Sequence, residues 1–218
     1  MEINYQLLAD SMKKCSEDCI FRNPEIEPLV PACVEVPVRI MFVGENPSWA
    51  VGQDVPFADG TISGQALEQH YLKPLGLSRN QVWITDIIKC RYPKHIYLAK
   101  PKYEADIQNV AKTCSNLWLT KEIQLAQPYL VATLSDAQVY NRFRRAFALD
   151  IPADFSEAVG HPHEVVIRGH KTTLFPMIHP DVSRPVGVGD NRKKKTREKW
   201  SPKHLNEHIP ALRKILSL

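Results

Sequence analysis

An apolar run that begins at Val38 closes on Gly44-Glu45-Asn46-Pro47-Ser48. A carboxylate and a carboxamide therefore stand side by side. The first only accepts hydrogen bonds when ionised, and the second both accepts and donates. Some ten residues later Pro56-Phe57 supplies an aromatic ring. Another apolar run ends Met177-Ile178-His179-Pro180-Asp181, and Asp86 ends a third. Gly44 permits a sharp turn, while the prolines after Asn46 and His179 restrict those residues to extended backbone. A strand-end turn accounts for either motif singly. Two polar residues held before proline at two strand ends read together as a site where polar groups meet a ligand. His161 and His163, in Gly-His-Pro-His-Glu, are spaced as a metal pair could be, but no ligand-bearing helix accompanies them, and they read as loop residues at a groove rim.

The elements that must position these groups follow from apolar patterning. Val38–Val43, Val82–Ile88, Tyr129–Leu134 and Thr172–Ile178 are nearly continuous apolar or β-branched runs, as in strands buried on both faces. Helical spacing marks Ser63–Leu75, Lys102–Leu125, Ser135–Ala148 and Pro202–Leu216. This alternation predicts an α/β fold: a three-layer α/β/α sandwich around a central four-stranded, mainly parallel sheet. Ligands of such sheets bind beyond the carboxyl ends of the strands, where Glu45, Asn46, Asp86 and His179 fall. The 218 residues suffice for a single domain spanning 1–218.

Composition is that of an ordinary soluble globular chain, with 44% hydrophobic and 24% charged residues. No apolar run reaches membrane-spanning length, and the first residues lack a signal-peptide pattern, so a cytoplasmic protein with no membrane partner is expected. The net charge is only +4, yet residues 191–199 read NRKKKTREK, six cations among nine positions. Such a run is either a solvated loop or a phosphate-facing patch. Five cysteines in a cytosolic chain are a poor disulfide set, which leaves metal or cluster ligation, or burial in the core.

Taken in order, these motifs resemble the uracil-DNA glycosylase superfamily, and most of all its family-4, iron–sulfur type. The resemblance rests on Gly44-Glu45-Asn46-Pro47-Ser48, Pro56-Phe57, Thr85-Asp86-Ile87-Ile88-Lys89-Cys90, Arg91-Tyr92-Pro93, Cys114, Pro128-Tyr129-Leu130-Val131 and His179-Pro180. It spans about residues 15–205. It implies a monofunctional DNA glycosylase that hydrolyses the N-glycosidic bond of a flipped-out pyrimidine and leaves an abasic site, since the target atom is out of reach inside a duplex. Glu45 or Asn46 would position the attacking water. His179 and the backbone near Gly44 would hydrogen-bond base O2 as charge develops, and Phe57 would stack under the base. Cys15, Cys19, Cys90 and Cys114 would hold a 4Fe–4S cluster, with zinc or plain core cysteines as the alternatives. Cys33 is spare and expected to be structural. No lysine in these motifs offers itself as a Schiff-base nucleophile, so strand-cleaving chemistry is not expected.

Several positions depart from the family pattern. Three residues rather than two separate Cys15 from Cys19, and 23 separate Cys90 from Cys114. Asp86 stands where uracil readers carry Asn. An ionised Asp only accepts, which suits an exocyclic amine such as cytosine N4; a carboxyl protonated by burial could still serve uracil. Ser48 is small and leaves room at pyrimidine C5. Together these imply a cytosine modified at C5, as in some phage DNA, with excision as a defence. The loop after His179 would enter the minor groove: Val182 or Val186 as wedge, Ser183 beside it, Arg184 on phosphate, and Arg192, Lys193, Lys194 and Lys195 extending the phosphate contacts. The protein is expected to act as a monomer on DNA. A non-catalytic DNA-binding module on the same fold is the second reading. An unrelated nucleotide-binding protein ranks last, for want of a phosphate-binding glycine loop.

Overall fold

The computed structural model describes residues 4–15, 19–21, 26–47, 54–184 and 194–217. β1 (Ile40–Gly44) is the centre of a parallel core. It pairs on one side with β2 (Trp83–Asp86) and on the other with β3 (Leu130–Ser135). β4 (His163–Ile167), β5 (His170–Leu174) and β6 (Met177–Ile178) complete six strands. The order is β2-β1-β3-β5-β4, with β6 also on β3. Only the β4–β5 pair is antiparallel.

The sheet thus has six strands where four are expected from sequence. The predicted strand Thr172–Ile178 splits into β5 and β6, because Pro176 cannot donate to a ladder. β4 was not anticipated, and His163 opens it rather than lying in a loop. Its signal was weak: Val165 and Ile167 alternate with exposed residues, and Arg168-Gly169, both at positive φ, make a two-residue hairpin turn.

Successive residues of a strand face opposite sides, and the two cores divide accordingly. Met41, Val43, Trp83 and Val131 face one helical layer. It comprises α1 (Tyr5–Lys13) and the long rod of α5 (Glu104–Cys114), a π turn and α6 (Thr120–Ala126), which α7 (Ala137–Ala146) joins. Ile40, Phe42, Ile84 and Ala132 face the other. There, α2 (Ile62–Leu67), a π turn and α3 (Lys73–Leu75) form one rod. A second rod joins α10 (Lys194–Lys203), a π turn and α11 (Ile209–Leu216), so it starts eight residues before the predicted Pro202. Both π turns precede a proline, Pro74 or Pro210, whose missing N–H would break a regular ladder. Short helices α4 (Lys94–Leu98), α8 (Phe155–Ala158) and α9 (Pro180–Ser183) follow β2, α7 and β6 in the chain. Among the described residues no helix is long and apolar enough to cross a membrane.

The second layer holds β6 in place. The Tyr71 hydroxyl donates to the Ile178 carbonyl at 2.5 Å, and the His204 ring lies 4.3 Å from that of Tyr71. His204 Nε2 meets the His70 carbonyl at 2.8 Å, so it carries the proton. Burial pushes this imidazole down to about 4, with neighbouring His208 and His70 adding to the fall against the hydrogen bond to His70. Unfolded histidine binds a proton near pH 6.5, whereas the folded one does not until about 4. The native state should therefore lose up to about 3 kcal/mol as pH falls between those values. Denaturant titrations of wild type and His204→Gln should differ most in their acid limb, and parallel pH profiles would show the assignment to be wrong.

Candidate active site and the neighbouring cysteine cavity

Strand register brings the expected residues to one edge. Gly44 is the pairing partner of Asp86, and Ser135 that of Ile178, so the residues that follow emerge together at the carboxyl end of the sheet. A Cβ on Gly44 would come within 2.4 Å of Asp86 Oδ1 and 2.6 Å of Phe57 Cε2. Only glycine admits this approach. Phe57 holds φ at 53°, a strained value for an aromatic residue. Its ring centroid lies 6.2 Å from that of His179. Gly44, Phe57, Asp86 and His179 thus border one space.

His179 is the N-cap of α9, and its Nδ1 accepts the Asp181 N–H at 3.2 Å. That bond leaves the ring proton on Nε2, as a donor. Asp86 is 2% exposed, and its Oδ1 is buried without a hydrogen-bond partner among the described residues. Burial pushes its carboxyl up to about 7; Lys89 opposes the rise, and Glu45 and Glu122 add to it. Both protonation states are therefore populated near neutral pH.

Glu45 is more engaged than its sequence context suggests. Oε1 accepts from the Tyr92 hydroxyl at 2.9 Å and from Arg142 Nη1, and Oε2 pairs with Lys100 Nζ at 2.7 Å. Arg142 also bridges to Glu104 at 2.6 Å, and Lys100 lies 4.8 Å over the Tyr92 ring. Three of about four acceptor positions of the carboxylate are taken. Asn46 Nδ2 donates to the Pro47 carbonyl at 2.9 Å. Sequence reasoning missed Tyr92, Lys100 and Arg142 as parts of the site. The one available signal was Arg142 itself, a cation on the apolar stripe Val139, Phe143 and Ala146 of α7.

The loop after His179 differs from expectation. Ser183 is fully buried: its hydroxyl donates to the Pro180 carbonyl at 2.7 Å and its carbonyl accepts from Ser201. It cannot touch DNA as placed. Val182 packs on the cluster of Tyr140, Phe155 and Ile178 rather than projecting as a wedge. Arg184 pairs with Asp181 at 3.3 Å, and buried Arg197 joins the same carboxylate at 3.1 Å. These two cations explain how a carboxylate is tolerated beside the loop. Lys194 and Lys195 are exposed at the start of α10. Ser48, Val186, Arg192 and Lys193 lie outside the described residues.

The cysteines gather beyond β2. Cys15, Cys19, Cys90 and Cys114 line one cavity with Lys89, Val110 and Trp118. Cys33 is exposed, against the expectation of a structural thiol. Burial pushes the Cys114 thiol up to about 11; Lys89 opposes the rise and Cys19 and Cys15 add to it. Lys89 is itself buried, donating to Thr85 Oγ1 and the Asp86 carbonyl and pairing with Glu122 at 2.5 Å. Among the described residues no three such side chains are gathered as a single metal ion needs. Thiolates on one zinc stand about 4 Å apart, given Zn–S of about 2.3 Å. Four thiols lining one cavity are the donor set that a 4Fe–4S cluster takes, one to each iron.

Residues 31–201 match the family described as the Uracil DNA glycosylase superfamily. The chain is 28% identical over 181 residues to a type-4 uracil-DNA glycosylase of Saccharolobus solfataricus, covering 81% of this chain and 76% of that protein. It is 26% identical over 146 residues to a type-4 uracil-DNA glycosylase of Sulfurisphaera tokodaii, covering 65% and 59%. With strand ends, ring and imidazole converging as described, and a match across most of its length, this chain belongs to the uracil DNA glycosylase superfamily and is a DNA glycosylase.

Proposed function

We propose that the chain hydrolyses the N-glycosidic bond of a pyrimidine flipped out of DNA, uracil or a 5-modified cytosine, and leaves an abasic site. The observation that supports this is the convergence of Gly44, Phe57, Asp86 and His179 on one space. Bond cleavage makes a sugar cation and a base anion. His179 Nε2–H and the backbone near Gly44 donate to base O2 as that charge grows, each well-placed donor contributing about 3–4 kcal/mol. Phe57 stacks on the base. Asn46 holds the water through Oδ1, its amide nitrogen being occupied by Pro47. Glu45, clamped by Arg142, Lys100 and Tyr92, has three of about four acceptor positions taken and leaves this role to its neighbour. Lys100 is held in its ion pair, and an ammonium has no lone pair to attack C1′, so the reaction ends at the abasic site.

Asp86 reads the edge of the base. Its neutral form can donate toward uracil O4, and its ionised form suits the exocyclic amine of a cytosine. Cys15, Cys19, Cys90 and Cys114 would hold a 4Fe–4S cluster, which ties the first segment of the chain to the end of β2 and takes no redox part in a hydrolysis. Brown colour with matched iron and sulfide would establish it against zinc. The protein acts as a cytoplasmic monomer. The base it releases decides between DNA repair and defence against phage DNA built with modified cytosine.

Oligonucleotides carrying uracil, cytosine, 5-hydroxymethylcytosine or its glucosylated form, treated with alkali after incubation, test the proposal. Release of uracil alone ends the modified-cytosine reading. Absence of release from all of them, with DNA still bound, favours the non-catalytic module.

A further inference from the structure

The loop after His179 lacks a projecting apolar residue among its described positions, because Val182 is packed against Tyr140, Phe155 and Ile178. A candidate stands elsewhere on the same edge of the sheet. The 23 residues between Cys90 and Cys114 include α4, which leaves the carboxyl end of β2. Ile96, 1% exposed, anchors α4 to the core, and Lys100 ties its far end to Glu45 at 2.7 Å. Leu98, between these two anchors, is 72% exposed, more than any other large apolar side chain among the described residues. Residues 91–103 carry Arg91, Lys94, Lys100, Lys102 and His95, and no Asp or Glu. Lys94, His95 and Lys102 are exposed. An exposed apolar side chain on a segment whose charged residues are all cations, tied to Glu45 by Lys100, has the chemistry to meet a polyanion whose bases are being parted.

We propose that α4 is a DNA-contacting wedge: Lys94 and Lys102 sit on phosphates of the strand carrying the flipped nucleotide, and Leu98 packs into the stack that the nucleotide vacates. This rests on the glycosylase reading and extends it, since it names the element that pays for opening the duplex. A wedge matters only where there is a stack to hold open. A single strand has little.

Two measurements test it. Single-turnover release of uracil from duplex and single-stranded oligonucleotides should show Leu98→Ala slowed about tenfold on the duplex and within about twofold of wild type on the single strand, the loss of about 1.4 kcal/mol of wedge contact. Thermal stability should be unchanged, because Leu98 is solvent-facing. Binding to a duplex with a tetrahydrofuran abasic analogue should show the Lys94→Ala/Lys102→Ala variant with a salt slope shallower by about 1.8, from about 0.9 per phosphate. Equal slowing of Leu98→Ala on both substrates, no slowing on either, or an unchanged slope overturns the proposal. A wild-type protein that releases no uracil counts against uracil as the substrate. The kinetic comparison of Leu98→Ala is then made on the modified cytosine that the wild-type protein releases, with the same two outcomes.

Discussion

His179→Ala should lower the rate of base release by about 100- to 1,000-fold while leaving the affinity for DNA nearly unchanged. The imidazole does two separable things. Through Nδ1 it caps α9 by accepting the Asp181 N–H at 3.2 Å, and its ring, 6.2 Å from that of Phe57, is proposed to present Nε2–H to the base. Alanine removes both. Asparagine restores only the cap, because its side-chain oxygen can accept from the first turn as N-cap residues do, but it is too short to donate where Nε2 does. His179→Asn should therefore recover thermal stability and remain nearly as slow as the alanine variant. Full recovery of rate by asparagine would reduce His179 to a helix cap and remove the proposed anion donor. The effect should appear in the single-turnover rate rather than in binding, because the base anion exists only as the bond breaks.

Asp86→Asn should make the protein more stable at pH 8 by about 2–4 kcal/mol and no more stable at pH 4. The sign follows from the shift. The carboxyl titrates near 3.8 in its unperturbed state and at about 7 in the folded chain. Between those values the folded state binds more protons than the unfolded, so stability falls as pH rises through the interval and stays reduced above 7. The cause is burial with one oxygen unpartnered, which an amide of the same shape tolerates better than an anion. A destabilised buried carboxylate kept at the pocket is the pattern of a group retained for what it contacts rather than for stability. The same variant should shift preference toward uracil over a 4-amino pyrimidine by at least about tenfold, because an amide nitrogen donates toward O4 as an ionised carboxylate cannot. Urea titrations at the two pH values, together with paired release assays, read both effects. If Asp86→Asn is no more stable than wild type at pH 8, the carboxylate has partners that burial does not reveal, and its role as reader loses its physical basis.

The strand ends bearing Glu45, Asn46, Asp86 and His179 were legible in the sequence because apolar runs and the prolines at 47 and 180 are local signals. The α/β class and the shared carboxyl edge followed from the same patterning, whereas the choice of four cysteines as ligands came from the family resemblance. What the sequence could not contain was the company these groups keep. Arg142 is 97 residues from Glu45 and Lys100 is 55, and no local rule links them; parallel pairing with β2 and β3 brings their carriers to one edge. The hairpin of β4 and β5 was obscured because an edge strand with one wet face alternates weakly over five residues. Ser183 and Val182 read as surface loop residues, yet docking of α10 buries the first and α7 with α8 covers much of the second. Chain connectivity and local propensity determine which side chains stand at a strand end. Only the packing of distant elements decides whether such a side chain is free, clamped or buried, because that depends on surfaces formed after the chain has folded.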